Sequence, residues 1–151
     1  MENRTGVPFP PPLVPIFAIA AGAAMNLWIP RWPVGIAWMI AGGVLFAMGV
    51  LFAAWALILM RTRRTTLSPF GAASSLLTTG PYRLSRNPIY LVLLLAQAAV
   101  ALSFGLAVTL ALLPVSGLLL DWFVIRREEA FLRTAFPAEF EAYAARTRRW
   151  I

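Results

Sequence analysis

The sequence has no cysteine, no histidine and no lysine among its 151 residues. Without cysteine the chain forms no disulfide and no thiolate metal site. Without histidine it lacks the commonest metal ligand and the usual general base at neutral pH. Any chemistry must therefore rely on carboxylates, arginine, tyrosine, amides or a bound cofactor.

Charged residues are also scarce, at 13% of the chain, whereas hydrophobic residues make up 60%. The mean hydropathy is +0.76. Such a composition lies outside that of ordinary soluble domains and is typical of a membrane protein. All thirteen basic residues are arginine, against six acidic residues, so the chain is strongly cationic.

Four apolar runs divide the chain and predict four transmembrane helices. Pro30 and Pro33 form the turn between the first two runs, and Pro114 should bend the last. We therefore predict an all-α, polytopic membrane helix bundle that forms a single domain over 1–151. The predicted helices are 13–29, 34–60, 88–103 and 106–125, with a polar loop at 61–87 and a tail at 126–151.

The arginines are unevenly distributed between the loops. Loop 61–87 holds five and tail 126–151 holds six, but the turn at 30–33 holds one. The positive-inside rule therefore places the loop, the tail and both termini in the cytoplasm. The expected location is the inner membrane of a bacterium.

Within the membrane, small residues recur at helical spacing. Gly42, Gly49 and Ala56 continue a stripe on the second helix that also includes Gly35 and Ala53. Such stripes let helices approach closely, so we expect them to assemble the bundle. Asp121, near the cytoplasmic end of the fourth run, has two interpretations: a functional acid, or a partner in a structural ion pair with loop arginines.

The stretch "TTGPYRLSRNPIYL" interrupts the apolar pattern. Asn87 and Pro88 predict a helix start, with Asn87 as the N-cap and Pro88 as the first helical residue. Arg83, Arg86 and Tyr90 would lie at the mouth of that helix, where the dipole favours an anion. A carboxylate or phosphate ligand and a lipid phosphate fit this pattern equally well.

The tail predicts an amphipathic helix, restarted at Pro137. An interfacial helix that lies on anionic lipid would explain most of this tail. Glu128 and Glu129 are the exception, because two adjacent acids beside two arginines can hold a cation or complete a charged network. The apolar face consists of Leu132, Phe136, Phe140 and Tyr143.

Together, "LLTTGPYRLSRNPIYL" and "REEAFLRTAFPAEFEAYAARTRRWI" resemble the integral-membrane methyltransferases that include isoprenylcysteine carboxyl methyltransferases and phospholipid methyltransferases. The resemblance covers roughly 76–151, about half of the chain. It lies in a G-P-Y-R turn, an R-(H or N)-P-x-Y helix start, a helical hairpin and an E-E-x-x-L motif.

This resemblance implies a cytoplasm-facing pocket for S-adenosylmethionine between the third helix and the tail. Arg86 and Glu129 are the implied catalytic residues. An arginine would hold the cofactor carboxylate, the two glutamates its ammonium and sulfonium, and a tyrosine its adenine. The implied cofactor-binding residues are Gly80, Tyr82, Arg86, Asn87, Pro88, Tyr90, Glu128 and Glu129, and no metal is implied.

The sequence departs from the family pattern at Asn87, where many relatives have histidine, and at Pro137 and Phe140. Asparagine cannot titrate, so position 87 cannot remove a proton. The implied methyl acceptor is a lipophilic molecule that enters from the bilayer, such as a lipid, an amine, a thiol or a prenyl-type carboxylate. No nucleic acid partner is expected.

Two alternatives remain open at this point. Membrane sterol reductases share a similar segment and bind NADPH there. A non-catalytic membrane scaffold that binds anionic lipid through its arginines would also fit.

Overall fold

The computed structural model describes residues 6–63 and 76–151, and in these residues the regular structure is entirely helical. The predicted all-α class is therefore confirmed. Within the predicted loop 61–87, residues 64–75, including Arg64, lie outside the described residues. The α-helices are α1 (Leu13–Met25), α2 (Ile36–Thr62), α3 (Pro88–Phe104), α4 (Ala107–Ala111), α5 (Leu113–Leu120), α6 (Arg126–Ala135) and α7 (Pro137–Ala144). A 3-10 turn (Gly80–Arg83) precedes α3, and a π-helical segment (Asp121–Ile125) joins α5 to α6.

Helix α2 is built for an apolar environment. Its 27 residues extend about 40 Å at 1.5 Å per residue. Its most apolar window has a mean hydropathy of 2.4, yet only 11% of that window is buried within the protein. A helix that exposes so much apolar surface is stable only in lipid, so the protein is membrane-associated. α2 starts at Ile36 and not at the predicted residue 34, because Gly35 still has extended backbone.

The predicted bundle of four complete spans is not confirmed. Among the described residues, α2 alone has both the length and the hydropathy to cross a bilayer. The first helix ends at Met25 and not at residue 29, and its 13 residues extend only about 20 Å. It stops because the chain turns after Asn26, whose side-chain amide donates to the carbonyl of Gly22 at 2.8 Å. α3, with 17 residues, starts at Pro88 as predicted.

The fourth apolar run, predicted as one helix over 106–125, consists of three consecutive pieces. α4 ends at Ala111, and α5 begins with Pro114 in its first turn. The predicted bend near Pro114 is thus confirmed as a break at Leu112. The run does not end at residue 125, because the π-helical segment continues directly into α6.

Helix α3 packs against α2 and also against α1, α4 and α5. Gly42 and Gly49 of α2 are buried in the α2–α3 contact, and a Cβ atom on Gly42 would lie 2.8 Å from the carbonyl oxygen of Ala99. The predicted small-residue stripe therefore does bring helices together. Gly35 takes no part, since a Cβ atom there would meet nothing within 4 Å.

The two ends of α3 have different neighbours. At its C-terminal end Gly105 adopts φ +68° and lies against the backbone of Trp32, in the turn between α1 and α2. At its N-terminal end the 3-10 turn packs beside Trp55 and Leu59, near the end of α2. The polar residues of both sequence motifs gather at this second end.

Candidate functional site

The first motif forms a compact turn that leads into α3. Gly80 has φ +60°, which favours glycine, and its Cα faces the Trp55 ring, where a Cβ atom would come within 3.3 Å of Nε1. Pro88 occupies the first turn of α3, as predicted. Asn87 is the N-cap residue of α3, as predicted, but its side chain does not form the predicted capping hydrogen bond.

Asn87 instead contacts the C-terminal segment of the chain. Its Nδ2 donates to the carbonyl of Arg149 at 3.0 Å, and the hydroxyl of Ser85 donates to the same carbonyl at 3.2 Å. The backbone N–H of Arg86 donates to the carbonyl of Arg148 at 3.0 Å. The segment after α7 is not helical, so its carbonyls need partners elsewhere, and the motif supplies them. The Asn87 side chain is therefore directed to the C-terminal segment through its Nδ2, and its Oδ1 makes no capping bond to α3.

A chain of ion pairs, which we call the arginine clamp, links the two motifs. Glu129, with 4% of its surface exposed, accepts from Arg86 Nη2 at 3.0 Å and from Arg149 Nη2 at 2.6 Å. Arg149 continues to Asp121 at 3.0 Å, and Asp121 accepts from Arg126 at 2.8 Å. Asp121 is therefore in an ion pair, as one interpretation predicted, but its partners differ from the predicted loop arginines, because both come from the tail.

Both residues with an implied catalytic role are heavily engaged within the clamp. Arg86 Nε and Nη2 contact Oε1 of Glu129, and Nη1 donates to the carbonyls of Ala144 and Thr147, both at 3.1 Å. A guanidinium has five N–H groups, so one remains for another partner. Their role in catalysis stays a prediction. In the folded chain they already join α3, α6 and the end of α7.

Glu128, next to Glu129, has a different environment. Its Oε2 accepts a hydrogen bond of 2.8 Å from the hydroxyl of Tyr90. Within residues 6–63 and 76–151 it forms no ion pair with an arginine. As a whole residue Glu128 is half-buried, whereas Glu129 is buried. One carboxylate of the pair is thus held by arginines, and the other contacts a tyrosine.

Burial raises the pKa of Glu128, and the charge of Glu129 raises it further. The hydrogen bond from Tyr90 partly offsets this rise. Tyr82 also faces this carboxylate: burial first, and then the charge of Glu128, raise the pKa of the Tyr82 hydroxyl. Glu128 is thus a carboxylate beside two tyrosines, an arrangement that suits a cationic group.

The π-helical segment decides which side chains of α6 reach the site. It contains one more residue per turn than an α-helix needs, so everything after it is rotated by about 100°. Glu129 consequently points to Arg86, while Glu128 points to Tyr90. π-helical turns occur often at functional sites for this reason.

Sequence reasoning did not identify Arg149, Ser85 and Tyr143 as parts of this site. The Tyr143 hydroxyl donates to the carbonyl of Tyr82 at 2.6 Å and so fixes the 3-10 turn against α7. Tyr143 was predicted only as one member of an apolar face; of that face Phe140 and Tyr143 are buried, and Leu132 and Phe136 are half-buried. Arg149 gave no local signal beyond its place in a basic run.

An apolar groove of ≈ 520 Å³ lies beside the site, between α1 and α5. Val14 and Phe9 line this groove and also pack in the hydrophobic cluster that contains Tyr90. The groove and the Tyr90–Glu128 pair therefore share a wall. The other lining residues include Phe17, Ala18, Ala21, Val115, Leu119 and Phe123.

The fold and site together define a helical membrane protein with a cluster of polar and charged side chains at one end of the bundle. Comparison with known families narrows this class to one family. Residues 37–139 match the Phospholipid methyltransferase family, and the chain belongs to that family. It is therefore a member of a family of membrane methyltransferases. No solved structure matches the chain.

The chain is also similar to the cobalt-zinc-cadmium resistance protein CzcN of Cupriavidus metallidurans. The two are 45% identical over 75 residues, which cover 49% of this chain and 34% of CzcN. The matched part is thus about a third of that protein. Within residues 6–63 and 76–151 here, acidic side chains form no group of three or more that could hold a metal ion.

Proposed function

We propose that this protein transfers a methyl group from S-adenosylmethionine to a lipophilic acceptor at the cytoplasmic face of a bacterial inner membrane. The single observation that carries the proposal is the meeting of the two motifs. Tyr90 of the first contacts Glu128 of the second at 2.8 Å, beside the ion pair of Arg86 and Glu129. These side chains are more than 35 residues apart in sequence, so only the fold brings them together.

The side chains fit the cofactor's chemistry. S-adenosylmethionine supplies an electrophilic methyl group on a sulfonium, and transfer needs positioning and exclusion of water more than it needs a metal or a histidine. Glu128 offers a carboxylate without an arginine partner among the described residues, and the ring of Tyr82 offers an aromatic face. Arg86 and Glu129 act as positioning residues in this proposal, since they hold α3, α6 and the tail around the pocket.

The apolar groove suits the hydrocarbon part of the acceptor. It lies between α1 and α5, and its wall is shared with the cluster around Tyr90. A lipid tail in the groove would place its head group near Glu128. Small side chains such as Ala18 and Ala21 leave the space that such a tail would fill.

The proposed topology has four crossing segments: α1, α2, α3 and the run from α4 through the π-helical segment. Both termini are cytoplasmic. The concentration of arginines in the loop and the tail supports this orientation, and so does the position of the arginine clamp at one end of the bundle. Pieces as short as α1 fit if the bilayer thins locally or if flanking residues reach its surface.

The test is isothermal titration of the purified protein in detergent with S-adenosylmethionine, its demethylated product and, separately, NADPH. Saturable binding of the first two and no binding of NADPH is the expected result. Binding of NADPH alone would move the protein to the reductases, and binding of none would favour a scaffold. Transfer of a radiolabelled methyl group into a lipid extract then identifies the acceptor.

The groove is tested separately with Ala21→Trp, which fills it, and Ala20→Trp, which changes an exposed residue of the same helix outside the groove. We expect Ala21→Trp to raise KM for a long-chain acceptor about tenfold and to leave cofactor affinity unchanged. Equal effects of the two variants would show that the tail binds elsewhere.

A further inference from the structure

We propose that residues 6–12, which we call the N-terminal strap, form a gate between the apolar groove and the hydrophobic cluster around Tyr90. Phe9 is the side chain that closes this gate. The gate rests on the proposed function for what passes through it, a lipophilic molecule that moves from the groove to the polar end of the bundle. The position of the strap and the few bonds that hold it carry the inference.

The strap lies at the junction of the groove and the cluster. Val7, with 5% of its surface exposed, packs in the cluster with Tyr90 and Val124. Phe9 is half-buried, packs against the same cluster and also lines the groove. Its ring centroid lies 6.2 Å from that of Phe123, which lines the groove from the π-helical segment. A molecule that extends from the groove toward Tyr90 therefore meets the Phe9 ring.

Backbone hydrogen bonds hold the strap only weakly. Proline occupies four of its seven positions (8, 10, 11 and 12), and proline has no N–H to donate. Within residues 6–63 and 76–151, no N–H of the strap donates to a backbone carbonyl. A segment with so few backbone bonds opens at a low cost in free energy, without unfolding of the helices behind it.

A side-chain hydrogen bond links the strap to α6. Nη1 of Arg127 donates to the carbonyl of Gly6. In sequence Arg127 stands between Arg126, a member of the arginine clamp, and Glu128, which contacts Tyr90. Closure of the strap is therefore coupled to the first turn of α6, where the site lies.

A strap that only anchors α1 would make the same contacts, but it would stay closed in the folded protein. The two cases differ in whether the cluster can be reached from lipid while the helices remain folded. This access can be measured without any turnover.

The absence of cysteine from the chain makes the measurement specific. Val124→Cys places a single thiol in the cluster, at a fully buried position that does not line the groove. The rate at which N-dodecylmaleimide modifies this thiol in phosphatidylcholine nanodiscs reports access from the groove. Because burial of the Phe9 ring stabilises the closed strap, Phe9→Ala should raise this rate about tenfold.

Phe17→Ala is the matched control. Phe17 also lines the groove, but it is not a member of the cluster, so its loss should leave the rate unchanged. Equal rates in the two variants would overturn the gate. A second thiol, Thr109→Cys at a buried position of α4, detects general loosening of the bundle. If Phe9→Ala accelerated its modification as much as that of Val124→Cys, Phe9 would stabilise the whole bundle and the gate would likewise be overturned.

Cross-linking tests what the strap does in turnover. Gly6→Cys with Arg127→Cys replaces the hydrogen bond by two thiols outside the groove, which a reducible bis-methanethiosulfonate reagent joins. A Cβ atom at position 6 meets nothing within 4 Å. With the strap held closed, methyl transfer into a lipid extract should fall about tenfold or more and recover on reduction. The affinity for S-adenosylmethionine should not change.

The control for the cross-link is the same double variant with each thiol capped by methyl methanethiosulfonate, which carries the same substitutions without the link. Transfer at the same rate in the linked and capped proteins would contradict the gate. The two levels of inference fail separately. If the wild-type protein does not bind S-adenosylmethionine, the proposed function fails, and the modification rate of Val124→Cys still decides whether the strap opens.

Discussion

Glu128 and Glu129 are adjacent in sequence, but they belong to two different regions of the site. Glu129 is buried and held by two arginines, whereas Glu128 is partly exposed, contacts a tyrosine and has a raised pKa. The arginine clamp makes the first residue part of the scaffold, and among residues 6–63 and 76–151 the second forms no ion pair with an arginine. Two identical side chains therefore have different environments because of what surrounds them.

The largest effect should come from breaking the clamp. Glu129→Ala leaves Arg86 buried without its counter-charge, and removing one partner of a buried pair typically costs about 3–5 kcal/mol. We expect a large loss of thermal stability in detergent, together with loss of cofactor binding. Glu139→Ala, at an exposed acid of α7, is the control and should leave both unchanged. Normal stability of Glu129→Ala would show that the clamp is not structural.

A substitution in α2, remote from both glutamates, tests whether helix packing stabilises the protein independently of the arginine clamp. Gly42→Ala places a Cβ atom 2.8 Å from the Ala99 carbonyl, so α2 and α3 must separate, at a cost of about 1–3 kcal/mol. Gly43→Ala is the matched control, because its Cβ atom meets nothing within 4 Å. Unfolding temperatures of the two variants should differ clearly. Equal temperatures would mean that the helices do not pack as described.

The contact between the first motif and the C-terminal segment should have a smaller effect. Asn87→Ala removes the hydrogen bond to the Arg149 carbonyl and should lower stability by about 1 kcal/mol. Ser85→Ala removes a second donor to the same carbonyl. Because both donors share one acceptor, the double variant should lose a different amount from the sum of the single variants. Strict additivity would argue against the shared contact.

The smallest effect, of opposite sign, is expected for Glu128→Gln. A carboxyl with a raised folded-state pKa gives stability that is present at low pH and lost as pH rises through that pKa. The wild-type unfolding temperature should therefore fall relative to that of Glu128→Gln as pH rises above the ordinary glutamate pKa of about 4.3. Glu129→Gln should be less stable than wild type throughout this range. A constant difference between wild type and Glu128→Gln would exclude titration of Glu128.

Much of the fold was predictable because local signals dominate it. Proline and glycine mark the start of α3, the break near Pro114 and the restart at Pro137, and the structure confirms all three. The early end of α1 was not predictable from hydropathy, since the residues after Asn26 remain apolar while the backbone turns. Periodicity likewise gave no sign of the π-helical segment, because one extra residue per turn leaves composition unchanged.

The site was predictable only as a list of residues. Both motifs stand out in the sequence, but nothing local distinguishes Glu128 from Glu129. Arg149 was missed because it lies in a run of arginines, and its selection depends on a bridge between Glu129 and Asp121. The missing capping bond of Asn87 was also not predictable, since its side chain contacts a carbonyl that is distant in sequence.

The sequence by itself determined the membrane environment, the helical class and the two motifs, because these depend on composition and on short-range pattern. Only the tertiary structure decided which acid is held by arginines and which faces Tyr90. That choice depends on the rotation introduced by the π-helical segment. It also depends on where the segment after α7 packs against the first motif and Glu129. Long-range contacts of this kind are set by packing among distant parts of the chain, and short-range pattern does not encode them.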